Sequence, residues 1–203
     1  MKTTQEIKTD IDTLVRKQGN QGALKLGDVL DDIVDNLRVV DKTMANIPDV
    51  ATFQTAVPNT ATEIVFAYYG GVDLTAYTKA GNIGKDIAVY ADGTKYALVS
   101  GKTIFAPENS AEFFNGYSAL TTLDVSNFDT AKATTFASMF DGCAALTTIT
   151  ASDWSATVTS GNMFNGCTSL VGGNGTTYDA DHTDAAYAHI DTADNPGYFT
   201  APA

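Results

Sequence analysis

The chain repeats itself, and that constrains its fold more than anything else in it. Leu120-Thr121-Thr122-Leu123-Asp124-Val125-Ser126-Asn127-Phe128 returns 26 residues later as Leu146-Thr147-Thr148-Ile149-Thr150-Ala151-Ser152-Asp153-Trp154, with apolar residues at the same offsets. An aromatic-Asx-Gly corner precedes each copy: Phe114-Asn115-Gly116-Tyr117, Phe140-Asp141-Gly142-Cys143 and Phe164-Asn165-Gly166-Cys167. After the third corner the chain starts again at Leu170 and departs through Gly173, Gly175 and Tyr178. A unit this short cannot bury its own apolar face, so each copy is stable only against its neighbours.

A period of 20–29 residues with an L-x-x-L-x-L kernel is the pattern of a leucine-rich-repeat-like array. Residues 120–128 are expected to form a short strand with Leu120, Leu123 and Val125 facing inward. A helical or irregular return over Ala133–Phe140 then places Phe136, Met139 and Phe140 on one side. The Asn-Gly and Asp-Gly corners use glycine's tolerance of positive φ. The predicted fold class is therefore an α/β solenoid of parallel strands, with a small β section capping its N-terminal end and a helical segment before that.

The text LTTLDVSNFDTAKATTFASMFDGCAALTTI resembles the BspA-like repeats of gut and oral bacteria and their phages, and related mycoplasma surface-protein repeats. The tail from Leu170 to Tyr178, then Tyr187 to Asp191 and Asn195 to Thr200, is similar to the segment that closes many such arrays. The likeness covers about residues 86–200. It implies surface display and binding to host proteins or glycans, and it brings no catalytic residues with it.

Hydrophobic residues at 44% and aromatics at 10% place the 203-residue chain among folded proteins. Its charge is uneven. Residues 1–46 hold seven basic and eight acidic residues, whereas residues 47–203 hold five lysines, no arginine and sixteen acids. A body so acidic is unsuited to gripping phosphates, so no nucleic-acid partner is expected. No apolar run approaches the ~20 residues of a membrane span, so no membrane insertion is expected. Met1–Lys8 has no apolar stretch of the secretory kind. A displayed protein lacking one is expected to leave the cell within a phage particle released by lysis.

Residues 1–46 read as two helices forming an attachment or oligomerisation segment. Thr3-x-x-Glu6 matches a capping box, and Ile7, Ile11, Leu14 and Val15 form an apolar stripe. After the Gly19–Gly22 break, Leu26, Leu30, Ile33, Leu37 and Val40 alternate spacings of four and three, a short heptad seam. Two heptads are too few to hold alone. The seam is expected to pack on the body, to self-associate as a trimer or next a dimer, or to dock into a capsid or tail protein. This segment also resembles the helical N-terminal modules of Bacteroidales-phage fibre-like proteins.

Prolines at Pro48 and Pro58 mark 47–60 as a linker or neck. Residues 61–112 are expected to form the β section, with strands at Thr62–Tyr68, Asp86–Tyr90, Lys95–Val99 and Lys102–Phe105 and an Asp-Gly hairpin corner at Ala91–Thr94. Residues 113–178 carry the repeats and 179–203 close them.

Chemistry-bearing patterns are sparse. Asp179-x-Asp181-x-x-Asp184 has oxygen-ligand density but lacks the glycine and distal glutamate of a calcium loop. His182 and His189 match no nucleophile or metal motif. Gly172–Gly175 lacks the lysine and helix of a phosphate loop. Asp124, Asp129 and Asp153 read as a solvated face and not as a catalytic pair. Cys143 and Cys167 recur at equivalent places about one strand spacing apart, which permits either buried thiols or a disulfide. No cofactor, metal or catalytic residue is expected. Tyr68, Tyr69 and Tyr77 are candidates to stack against sugar rings. The expected function is a non-enzymatic phage virion protein on the particle exterior, of fibre or decoration type, that recognises a bacterial surface glycan or protein. The alternative is a bacterial surface adhesin-like module.

Overall fold

The computed structural model describes residues 44–152, 154, 158 and 160–202. The chain divides into two compact units, Met1–Thr43 and Met44–Ala203, and the described residues belong to the second. The heptad residues Leu26, Leu30, Ile33, Leu37 and Val40 lie outside the described residues.

Ten strands and one α-helix are described: β1 (Ala45–Asn46), α1 (Val50–Ala56), β2 (Glu63–Tyr68), β3 (Thr78–Ile83), β4 (Ile87–Asp92), β5 (Lys95–Ser100), β6 (Ile104–Phe105), β7 (Thr122–Asp124), β8 (Phe128–Asp129), β9 (Thr148–Thr150) and β10 (Phe199–Thr200). Seven of them form one mixed sheet in the order β10-β9-β7-β2-β5-β4-β3, and β1-β6-β8 form a second, parallel sheet. The α/β solenoid with a separate β cap is thereby corrected to a mixed-sheet domain with one helix.

Two physical reasons account for the correction. The β section does not cap anything, because β2 sits mid-sheet and pairs in parallel with both β5 and β7. Its Ile64 lies opposite Leu123 and shares the buried core with it. The return over 133–140 is a series of turns and not a helix. Ser138 adopts φ +52°, which breaks a right-handed helix, and the Phe140 amide donates to Met163 O of the next copy instead of to its own preceding turn.

The repeat register is explicit in the sheet. Leu123 lies opposite Ile149 and Thr122 opposite Thr148 in parallel strands β7 and β9. Leu120, Leu123, Val125, Leu146, Ile149 and Ala151 are all buried. Backbone bonds outside the strands repeat as well: Phe114 N to Met139 O and Phe140 N to Met163 O, Gly116 N to Asp141 O and Gly142 N to Asn165 O, all at 2.8–2.9 Å.

Phe114, Phe140 and Phe164 stack through the corners with centroids 5.3 and 5.4 Å apart and planes within 5° and 12° of parallel. The stack ends where a ring turns edge-on. Phe53 of α1 meets Phe114 at 82°, and Tyr198 meets Phe164 at 75°. Perpendicular rings set edge hydrogens against a π face, which suits the end of such a stack. Residues 47–60, expected as a linker, thus hold α1, whose Asp49 Oδ1 accepts from Thr52 N at its start and whose Phe53 is fully buried. Strand β3 was not foreseen. It is polar and glycine-bearing, an edge strand paired only with β4 and exposed up to its last residue, Ile83, which is buried.

At the C-terminal end β10 takes the place beside β9, with Phe199 opposite Ile149. Buried Asp191 ties this end together. Its Oδ2 accepts from Asn174 N (2.8 Å) and Thr176 N (2.9 Å), and its Oδ1 from the Thr176 hydroxyl (2.6 Å) and Gly197 N (3.2 Å). Gly172 is required here, since a Cβ would lie 2.2 Å from Gly197 O and 2.6 Å from the Asp191 carboxylate. Burial pushes the Asp191 carboxyl up and is the largest single influence, but the donors together outweigh it and hold the group below its ordinary 3.8.

Two outcomes follow for stability. A carboxyl depressed in the folded state contributes stability that is present above its unfolded value and lost as pH falls through the folded one. Urea midpoints followed into acid should show this loss in the native chain. In Asp191→Asn, where an NH2 faces amide donors, the group's acid dependence should vanish and stability should fall by about 2–4 kcal/mol at neutral pH. At the corners, Gly142 has φ +77°, so Gly142→Ala should cost about 1–2 kcal/mol, whereas Ser138→Gly should be neutral or stabilise by about 0.5 kcal/mol. Thermal unfolding of the two variants checks the opposite signs.

Candidate functional site

The C-terminal ends of parallel strands β2, β7 and β9 border one groove of about 420 Å³. Tyr68 ends β2, residues 126–131 follow β7, and Ser152 and Trp154 follow β9; Thr103 completes the rim. The repeat builds it, because Ser126 and Ser152 are equivalent positions, as are Phe128 and Trp154.

Local bonds set each wall. Asp124 Oδ1 accepts from the Ser126 amide at 2.9 Å and from the Ser126 hydroxyl, turning the chain after β7. Asp129 Oδ1 accepts from Ala131 N at 2.8 Å. The Tyr68 and Thr103 hydroxyls bond at 2.7 Å, leaving the tyrosine 48% exposed. Asn127 is 4% exposed and donates through Nδ2 to Lys102 O at 3.3 Å. Trp154 is 6% exposed and packs against Phe136 and Phe199 at 5.3 and 5.1 Å between centroids. Asn127 Oδ1 and Trp154 Nε1 are buried without a hydrogen-bond partner among the described residues. Native interiors rarely leave such atoms unmatched. Among the described residues the groove offers an exposed ring, a hydroxyl-rich rim and one carboxylate, with Asn127 and Trp154 in its wall.

The three tyrosines proposed for sugar stacking are separated by the fold. Tyr68 lines the groove. Tyr69 and Tyr77 pack instead, with Val72 and Leu74, against a small cluster of Ala88, Tyr90, Ala97 and Val99 on β4 and β5. Asn127 and Trp154 escaped sequence reasoning as site residues. The only signal available was that Trp154 is the sole tryptophan and stands where the preceding copy has Phe128.

The acidic tail serves backbone geometry. Asp179 Oδ1 accepts from Asp181 N, and its Oδ2 lies 3.3 Å from His182 Nδ1 in an exposed pair. Asp184 Oδ1 accepts from Ala186 N at the start of a 3-10 turn, Ala185–Tyr187. Among the described residues no group of three or more His, Cys, Asp or Glu converges as a metal site, and no helix is long and apolar enough to cross a membrane. Asp153 lies outside the described residues.

Cys143 and Cys167 are free and buried, and each thiol donates to the phenylalanine carbonyl of the preceding corner: Cys143 Sγ to Phe114 O and Cys167 Sγ to Phe140 O, both at 3.1 Å. Burial pushes the Cys143 thiol up to about 12 and Cys167 in the same direction. Neither thiol is therefore a nucleophile near neutrality. Alkylation without reductant should leave both unlabelled in the folded chain and label both after denaturation, read by intact mass; a single or absent label on denaturation would contradict the free-thiol state.

No family model matches the chain, and no curated protein and no solved structure matches it either.

Proposed function

We propose that this is a non-enzymatic structural protein of a phage particle, of fibre or decoration type, on the particle exterior. Its N-terminal segment, with Leu26, Leu30, Ile33, Leu37 and Val40 at heptad spacing, attaches it to a capsid or tail protein or joins copies as a trimer or dimer. The repeat-bearing body presents a surface for a bacterial glycan or protein. The observation that carries this reading is the two-part chain. The chain divides after Thr43, and Met44–Ala203 holds two hydrophobic clusters and the groove. Attachment and presentation can thus be assigned to different parts. The uneven charge agrees, with the excess acid concentrated after residue 46. The likeness of the SNFDT text to bacterial surface repeats favours a second reading, an adhesin-like module of the cell surface.

Deleting residues 1–43 spares β1, which pairs with β6. The shortened chain is expected to unfold cooperatively, to sediment as a monomer where the intact chain self-associates, and to be missing from purified particles. Normal incorporation of the shortened chain overturns the attachment role. Cell-surface labelling of a host lacking particles would favour the second reading.

A further inference from the structure

We infer that the groove at the ends of β2, β7 and β9 is a binding site for a neutral saccharide. The inference rests on the reading of the body as a recognition surface and names the ligand class of that surface.

Three observations carry it. Tyr68 stands 48% exposed at the groove edge with its hydroxyl already held by Thr103 at 2.7 Å, so the ring is fixed while remaining open to solvent. One face of a pyranose carries mostly C–H bonds, which suit the negative face of an aromatic ring. Next, Asn127 Oδ1 and Trp154 Nε1 are a buried acceptor and a buried donor without partners among the described residues, on two residues that line the same groove. A sugar hydroxyl both donates and accepts, so it matches either atom once the side chains shift to uncover it. Lastly, the lining limits ligand charge. Among the described lining residues Asp129 is the one carboxylate and none is a cation, and residues 47–203 carry sixteen acids against five lysines. An anionic ligand is repelled, whereas a neutral polyol with hydroxyls for Ser126, Ser152 and Asp129 is not.

Trp154 is the only tryptophan, so its emission reports on the groove directly. The intact chain is titrated with neutral di- and trisaccharides of glucose, galactose, mannose and N-acetylhexosamines, and with their sialylated counterparts. A saturable change is expected with at least one neutral saccharide and weaker binding of its anionic counterpart. Tyr68→Ala is expected to weaken that binding about tenfold or more, while Tyr68→Phe, which keeps the ring, retains it. Equal melting temperatures across the variants separate this from misfolding. No saturable change with any saccharide up to millimolar concentration, a response only to peptides, or unaltered affinity in Tyr68→Ala overturns the inference. Particle incorporation plays no part in the measurement, so the attachment role and the ligand class fail independently.

Discussion

The aligned stack of Phe114, Phe140 and Phe164 sets the geometry on which the rest depends. Parallel strands lie about 4.8 Å apart, and flat rings at equivalent positions can follow that spacing only if they are nearly coplanar in orientation. The observed separations of 5.3 and 5.4 Å meet this condition with a small offset. Each phenylalanine is followed two residues later by a glycine at positive φ, 73°, 77° and 74° in turn, so the backbone leaves every corner in the same direction. Identical corners then bring Leu123 opposite Ile149 without any further specification.

An array of equivalent layers must end, and the departures from the repeat are concentrated where it does. Cys143 and Cys167 each donate to the layer before them. The first corner has α1 before it instead of another layer, and there the position is Tyr117, whose longer side chain donates to Val57 O at the end of that helix. At the far end, the amide of Gly166 has no following Asx carbonyl such as Gly116 and Gly142 use. The hydroxyl of Tyr178, in the degenerate last copy, accepts from it at 3.2 Å. The irregular residues are thus substitutes for missing neighbours.

This explains how far the sequence could be read. The 26-residue register, the inward residues Leu120, Leu123 and Val125, and the Asp-Gly hairpin between β4 and β5 follow from local text, because periodicity and turn chemistry are local properties. The error in fold class arose where a strand's neighbours are chosen at long range. Nothing within Glu63–Tyr68 announces that both its edges pair in parallel, one with β5 and one with β7. Phe53 looked like part of a linker since seven helical residues between two prolines have no periodicity to display, and only the aromatic layer it covers makes that helix worth forming. The groove was less visible still. Tyr68 is named from the sequence as a candidate stacking ring, but Asn127 and Trp154 become notable only once Asn127 Oδ1 and Trp154 Nε1 are seen to lack partners among the described residues.

The repeat also bears on how such a groove arises and varies. Ser126 and Ser152, just past β7 and β9, are outside the strand ladders, so their side chains do not determine whether layers stack. The buried residues Leu123 and Ile149 do, and they differ only as one aliphatic side chain from another. Phe128 and Trp154, by contrast, differ in exactly the respect that matters for recognition, since the indole adds a donor that the phenyl ring lacks. Yet both rings still serve packing: Phe128 lies 4.7 Å from Phe66, and Trp154 touches Phe136, Phe140 and Phe199. A scaffold fixed by its corners can therefore exchange one large ring for another at these two positions while keeping both packed. Layers of nearly identical backbone thereby place non-identical side chains in the wall of one shared groove.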